Sequence, residues 1–167
     1  GGGILTEYDY GRRSYEGAVA NPFGQVEPRR RDRTVRMNGV AKAYAMTGWR
    51  IGFSAGPVEL TRQLIKLQGQ STCNPCSSAQ AAAKGAVSGP QDFIGEMVSV
   101  YEQRRNLVVS MLNAAPGLTC AKPERAFYAF PSIEGTLGKT SKCGHPIDSD
   151  EALVTALLDE TGVAAVQ

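Results

Sequence analysis

Segments with strand-like and helix-like spacing of apolar residues alternate along the chain. The strongest helical pattern runs from Pro90 to about Ala114, where apolar side chains recur three, four or seven residues apart. Further helices are predicted at 58–70, 77–87 and 150–160, and strands at 4–10, 34–37, 50–55, 118–120, 126–130 and 163–167. This order of elements predicts an α/β fold.

The pattern also predicts a division of the chain into two parts. Residues 1–89 have the pattern that ends an α/β domain, and residues 90–167 that of a long helix leading into a smaller α+β domain. The chain opens on three glycines and stops within the strand-like run at 163–167. We therefore expect both ends to interrupt a larger protein.

Charge and hydropathy exclude some classes of partner. The 18 basic and 16 acidic residues leave a net charge of +2, which gives no argument for a nucleic-acid or membrane partner. No apolar run approaches the roughly 18 residues of a membrane-spanning helix. The basic cluster at 29–33 has no interleaved aromatic residues, so we interpret it as a solvated connection, and contact with a phosphate or nucleic acid is the alternative.

The four cysteines bear on redox and metal chemistry. Cys73 and Cys76 have the spacing of a redox motif or of half a zinc site. Cys120 and Cys143 are far apart, and the single histidine, His145, does not complete such a site. We expect reduced thiols in a cytoplasmic protein without a metal, and redox or metal chemistry is the alternative.

Candidate chemistry concentrates in residues 34–57. Lys42 lies in a mostly apolar run of small residues, and dry surroundings favour the neutral amine that can attack an aldehyde. Arg50 follows, and its planar guanidinium suits a phosphate. Spacing alone also allows an ordinary loop lysine and a salt-bridged arginine.

A specific resemblance favours the first interpretation. Residues 38–52 read NGVAKAYAMTGWRIG and are similar to the cofactor-lysine signature of class I pyridoxal-phosphate-dependent aminotransferases of fold type I, in the bacterial aspartate aminotransferase branch. The resemblance implies that Lys42 forms a Schiff base with pyridoxal 5'-phosphate and shuttles the substrate proton, while Arg50 pairs with the phosphate. The implied reaction is transamination between an amino acid, aspartate or a related one, and a 2-oxo acid such as 2-oxoglutarate.

The resemblance extends over most of the chain. Residues 68–80, 89–93, 104–107, 116–118 and 127–128 also match the family, which usually has serines where Cys73 and Cys76 stand. In the family the loop around those cysteines comes near the active site of the partner subunit. The resemblance thus implies a homodimer, with Thr72 and Asn74 shaping the substrate pocket.

The first predicted strand carries the expected partner of the cofactor ring. The family has an aspartate, two residues and then a tyrosine, and alignment on Tyr10 and on 15–17 puts Glu7 at the aspartate position. The resemblance implies that Glu7 pairs with the ring nitrogen and that Tyr10 bonds the phenolic oxygen. Asp9, on the same strand face as Glu7, is the alternative partner, and Tyr10 could instead pack in the core.

Several departures leave other functions open. Ala41 and Gly39 stand where the family often has hydroxyl residues, and Arg125 stands at a usual glycine, where a positive φ would strain it. The resemblance places other cofactor and substrate groups outside these residues, so we expect the chain alone to be weakly active or inactive. The alternatives are another enzyme of this fold, such as a lyase or synthase, and a non-catalytic module, which Glu7 and Arg125 favour.

Overall fold

The computed structural model describes residues 3–7, 11–12, 14–18, 21 and 27–167. Helices and strands are mixed along the chain, which confirms the predicted α/β class. The strands are β1 Ile4–Glu7, β2 Thr34–Gly39, β3 Gly52–Ala55, β4 Thr119–Cys120, β5 Pro131–Ser132, β6 Lys139–Thr140 and β7 Pro146–Ile147. The α-helices are α1 Val58–Ser71, α2 Ser77–Ser88, α3 Asp92–Ala114 and α4 Asp150–Thr161. Short 3-10 helices cover Pro28–Arg33, Thr47–Trp49 and Glu134–Thr136.

Strands β1, β2 and β3 form a three-stranded sheet in chain order. Strands β1 and β2 are parallel, and Glu7 is paired with Met37. Strands β2 and β3 are antiparallel, and Gly39 is paired with Gly52. The last residues of β1 and β2 and the first of β3 therefore lie at one edge of the sheet.

The chain separates into two compact units. The first comprises Gly1–Glu102 and Glu124–Ala126, and the second comprises Gln103–Pro123 and Phe127–Gln167. The division falls inside α3, and the predicted domain boundary at 89/90 stays a prediction about the whole protein. No helix in the described part of the chain is long and apolar enough to span a bilayer.

The first unit is held by buried side chains beside the sheet. Val35 in β2 and Val40 just after β2 are buried, and Tyr15 is only 2% exposed. The backbone N–H of Tyr15 donates to the Glu124 carbonyl at 2.9 Å, and its hydroxyl donates to the Ala126 carbonyl. These bonds fix the segment that follows β1 within the first unit.

The second unit combines two small sheets with a capped helix. Its small sheets pair β4 with β5 and β6 with β7, both antiparallel. Helix α4 begins at a serine cap, because the Ser149 hydroxyl accepts from the Ala152 N–H at 3.1 Å. It ends at Gly162, whose φ of 72° is the left-handed conformation that glycine adopts without strain.

Two predicted strands are wrong. The segment 126–130 is irregular, and the strand that pairs with β4 begins at Pro131. The segment 163–167 also has no strand structure. An apolar run becomes a strand only where a neighbouring strand takes its backbone bonds. Strand β1 ends at Glu7, and residues 8–10 of the predicted strand lie outside the described residues.

The expected strain at Arg125 falls one residue later. Arg125 forms an isolated antiparallel bridge with Ser14, and the positive φ, 65°, belongs to Ala126. The arginine therefore does not occupy the conformation that would favour glycine.

Candidate active site

The sheet topology brings three of the predicted site residues to one edge. Glu7 is the last residue of β1, and Lys42 lies in the turn that follows β2. Arg50 precedes β3, which starts at the same edge because it runs antiparallel to β2. In open α/β sheets this edge, at the carboxyl ends of parallel strands, is the usual place for a ligand.

The turn that carries Lys42 is anchored by two small apolar side chains. Val40 is fully buried and Ala43 is 4% exposed, while Lys42 between them is half-buried. The Val40 carbonyl accepts from the N–H groups of Tyr44 at 3.3 Å and Met46 at 3.4 Å. These bonds are long for N–H to oxygen, so the backbone of the turn is weakly closed.

Arg50 adopts a backbone conformation that is rare for its residue type. It ends the 3-10 helix Thr47–Trp49 with a φ of 54° and a ψ of 47°. A left-handed conformation costs a non-glycine residue about 1–2 kcal/mol, and such strain tends to cluster at functional sites. The side chain is exposed, and its Nη1 donates to the Thr47 carbonyl at 2.9 Å, which orients the guanidinium beside the sheet edge.

Glu7 lies at a cavity on the sheet. Its side chain is exposed, and it shares a row across the three strands with Met37 and Ser54. The cavity has a volume of about 350 Å³. Its lining consists of Glu7, Met37, Asn38, Gly52, Phe53 and Ser54. The choice between Glu7 and Asp9 stays open, because Asp9 and Tyr10 lie outside the described residues.

Thr72 and Asn74 lie in the exposed loop between α1 and α2. The Gln68 side-chain amide donates to the Thr72 hydroxyl, and the Asn74 side chain donates to the Pro75 carbonyl at 3.1 Å. Both side chains thus bond to neighbours in sequence, and their predicted place in a pocket shared with a partner subunit stays a prediction.

The two cysteines of this loop are exposed free thiols. The sulfur of Cys76 lies 3.0 Å from the Ser78 hydroxyl at the start of α2. That hydrogen bond, followed by bonds from the backbone of Ala79 and Ser78, lowers the pKa of the Cys76 thiol below its ordinary value.

Three side chains near Lys42 were not among the predicted site residues. The Tyr44 hydroxyl donates to Gln91 Oε1 at 3.0 Å, and Arg12 Nη1 donates to the same oxygen at 2.6 Å. The aromatic side chain two residues after Lys42 was a possible indication. Nothing local connects it to Gln91, 47 residues away in sequence.

The groups at the sheet edge fit the chemistry of pyridoxal phosphate. The cofactor offers an aldehyde to an amine, a phosphate to a guanidinium and a ring nitrogen to a carboxylate. Lys42, Arg50 and Glu7 supply those three groups from the turn and strand ends that meet at this edge. The exposed Arg50 side chain leaves room for a phosphate beside it.

Comparison with known proteins identifies the family. The model of the family "Aminotransferase class I and II" matches residues 10–167. The chain therefore belongs to the class I and II aminotransferases, as the cofactor-lysine signature implied.

Two bacterial relatives cover most of the chain. An aspartate/prephenate aminotransferase from Cereibacter sphaeroides is 55% identical over 157 residues, which cover 91% of this chain and 39% of that protein. A probable aspartate/prephenate aminotransferase from Rhizobium leguminosarum bv. phaseoli is 54% identical, over 98% of this chain and 41% of its own length.

A solved structure supports the same assignment of the fold. The aspartate aminotransferase from Rhizobium meliloti superposes with a TM-score of 0.94 and 43% identity, over 98% of this chain and 41% of that one. The chain thus spans about two-fifths of the length of the relatives it matches.

Proposed function

We propose that the protein is a pyridoxal-phosphate-dependent aminotransferase in which Lys42 binds the cofactor. The observation that carries the proposal is the arrangement of Glu7, the Lys42 turn and Arg50 at one edge of the sheet. Membership of the aminotransferase family supports it independently.

Lys42 has two tasks in this proposal. Its Nζ would hold the cofactor by a Schiff base with the aldehyde, formed with loss of water. With the cofactor and substrate bound, Nζ would be the base that carries a proton between the substrate α-carbon and the cofactor C4′. The buried Val40 and Ala43 on either side limit how far the amine can move.

Arg50 and Glu7 orient the cofactor. Arg50 binds the phosphate through its guanidinium, which the bond from Nη1 to Thr47 already orients. Glu7 holds a proton on the ring nitrogen by charge pairing, with Asp9 as the alternative carboxylate. When bound, the protonated cofactor ring withdraws the electron pair left on the substrate α-carbon.

The names of the relatives support a substrate class. Two of these relatives are named for aspartate and prephenate. Prephenate carries a 2-oxo acid group. We infer that the protein transfers an amino group between aspartate, or a related amino acid, and a 2-oxo acid such as 2-oxoglutarate. Rates with a panel of amino donors test this inference, and elimination or condensation products without amino transfer would favour the alternative lyase or synthase.

We also propose that the full-length protein is a homodimer. The exposure of the loop that carries Thr72 and Asn74 is consistent with a contact to a second subunit. Light scattering should give twice the mass of the full-length chain, and a monomer mass would contradict this part.

The direct test of the proposed function is covalent trapping. Full-length protein is incubated with pyridoxal phosphate, reduced with borohydride, digested and analysed by mass spectrometry. We expect a near-visible absorbance band before reduction and a cofactor adduct on the Lys42 peptide afterwards. Lys42→Ala should lose both.

Lys66→Ala is the matched control, because Lys66 is an exposed lysine of α1 away from the turn. It should keep the band and the adduct. Survival of the band in Lys42→Ala would overturn the assignment of Lys42. Absence of the band from the unaltered protein would favour the non-catalytic module.

A further inference from the structure

Gln91 lies at the centre of a hydrogen-bond cluster that reaches the Lys42 turn. Its Nε2 donates to the carbonyl of Ala86 at 2.9 Å and to that of Gly89 at 2.7 Å. A longer contact of 3.3 Å joins the same nitrogen to the Pro90 carbonyl. An amide nitrogen has two protons, so the two shorter bonds use both and fix the orientation of the side chain. The amide oxygen is thereby directed away from the end of α2.

The oxygen of the same amide accepts two bonds. The Tyr44 hydroxyl donates to Gln91 Oε1 at 3.0 Å, and Arg12 Nη1 donates to it at 2.6 Å. Gln91 therefore has a partner for each donor and each acceptor position, and it is half-buried. A satisfied and partly buried amide of this kind holds its partners in one arrangement.

The ring of Tyr44 is also held. The Arg12 guanidinium carbon lies 5.7 Å from the ring centroid, within the range of a cation–π contact. Phe93, from the first turn of α3, packs against Tyr44 with a centroid distance of 6.1 Å. Tyr44 is thus fixed at its hydroxyl and at its ring by residues outside the turn.

This external support matters because the turn is weakly closed by itself. Its bonds from Tyr44 and Met46 to Val40 are 3.3 and 3.4 Å long, and the bond from Ala45 to Lys42 is 3.3 Å. Ala45 adds strain, since its φ is 52°. A turn with long bonds and a strained residue can shift unless another contact holds it.

We propose that Gln91 is a positioning residue that acts on Lys42 through Tyr44. The amide ties the turn to the α2–α3 junction, so that the lysine amine keeps its place relative to Arg50 and Glu7. This inference rests on the proposed function, because it concerns where the cofactor lysine is held. Misplacement of a reacting group by about 1 Å can cost roughly a hundredfold in rate.

The test uses full-length protein loaded with pyridoxal phosphate and three variants. Gln91→Met keeps the approximate volume of the side chain but removes all the hydrogen bonds of the side-chain amide. Tyr44→Phe removes a single hydroxyl and keeps the ring packed between Arg12 and Phe93. Gln103→Ala, at an exposed position of α3, is the control.

We expect kcat to fall about tenfold in Gln91→Met and in Tyr44→Phe, while KM changes less than about twofold. The pH midpoint of the cofactor absorbance band should shift in the same direction in both, because both variants release the same turn. The double variant should lose no more activity than the more impaired single variant, since the two residues act through one hydrogen bond. Gln103→Ala should match the unaltered protein.

The outcomes separate this inference from the proposed function. An unchanged band midpoint and kcat in Tyr44→Phe, with the band and the Lys42 adduct intact, would overturn the positioning role and leave the proposed function standing. Additive losses in the double variant would also overturn it. No band or adduct in the unaltered protein would overturn both.

Discussion

Arg50 combines a strained backbone with an exposed guanidinium. A residue held in the left-handed region at an energetic cost must be fixed by its surroundings, and here the bond to Thr47 contributes to that. The strain presents the guanidinium at the sheet edge, which is where a phosphate would need it. The backbone conformation and the proposed role therefore support each other.

Arg50→Ala should weaken the binding of pyridoxal phosphate. Hydrogen bonds to a charged group are each worth about 1.5–3 kcal/mol, so we expect the dissociation constant to rise roughly tenfold to a hundredfold. Arg50→Lys should recover only part of this, because an ammonium cannot form the two parallel bonds of a guanidinium. Equilibrium titration of the absorbance band measures the effect.

Arg62→Ala is the control for this measurement. Arg62 forms a surface ion pair with Glu59 at 2.6 Å, and such pairs contribute little. Similar affinities of Arg50→Ala and Arg62→Ala for the cofactor would contradict the phosphate role.

Glu160 gives the second unit a dependence on pH. Its carboxylate accepts from the Ser141 hydroxyl and lies 3.0 Å from His145 Nδ1. The bond from Ser141 is the main reason why the pKa of Glu160 lies below its ordinary value of 4.5. The charge of Glu160 in turn raises the pKa of the nearby Cys143 thiol.

A carboxyl whose pKa is lower in the folded state stabilises the protein above its ordinary pKa and loses that contribution as the pH falls through the folded value. The urea midpoint of the unaltered protein should fall as the pH is lowered below about 5, and we expect this fall to be smaller in Glu160→Gln. Glu96→Gln, at an exposed position of α3, is the control. Identical acid slopes in Glu160→Gln and the unaltered protein would contradict this.

Among the elements, the helices follow their local pattern closely. Predicted at 58–70, α1 extends over Val58–Ser71, and its leucines at 60, 64 and 67 line a cavity of about 630 Å³ beside the sheet. A helix satisfies its own backbone, so periodicity within a short window is enough to locate it. Of the two-residue strands of the second unit, β4 lies within the strand predicted at 118–120, whereas β5, β6 and β7 were not predicted.

Two hydrogen bonds between the Asn113 side chain and the Cys120 backbone connect α3 to β4. Asn113 Nδ2 donates to the Cys120 carbonyl at 3.0 Å, and the Cys120 N–H donates to Asn113 Oδ1 at 2.8 Å. Cys120 is 4% exposed, so its backbone groups have little access to water while Asn113 is in place. One asparagine therefore ties Cys120, the last residue of β4, to α3.

Asn113→Ala should destabilise the protein by about 2 kcal/mol, because it leaves a buried N–H and a buried carbonyl without partners. The stability of Asn113→Asp should lie between that of the unaltered protein and that of Asn113→Ala. The aspartate keeps an acceptor for the Cys120 N–H but has no donor for the Cys120 carbonyl. Urea unfolding measures the difference, with Gln103→Ala as a surface control. A loss of unfolding free energy no larger than that of the control would show that the two bonds between Asn113 and Cys120 contribute little to stability.

The whole chain spans about two-fifths of the length of its relatives. Large apolar side chains are exposed on it, among them Leu67 at 68% and Phe130 at 87%. Apolar surface of this kind is commonly covered by other parts of a fold or by a partner. The apolar surface of the chain therefore agrees with its share of the family length.

We expect the 167-residue chain by itself to be weakly active or inactive in transamination. The resemblance places the group that grips the substrate carboxylate outside these residues, and a substrate that is not positioned reacts slowly. Rates of the 167-residue chain and of the full-length protein, measured with aspartate and 2-oxoglutarate under the same conditions, test this. Comparable turnover by the two would contradict it.

The sequence by itself determined the helices, the α/β class and the family. It also placed Lys42 and Arg50 within one signature. Periodicity and motifs are local properties, so a short stretch of sequence contains them. Only the tertiary structure decided which strands pair, where the positive φ angles fall and that Gln91 reaches Tyr44. It also brought Glu7 to the edge where Lys42 and Arg50 lie. Those outcomes depend on contacts between residues far apart in sequence, whose free energies no short window of residues contains.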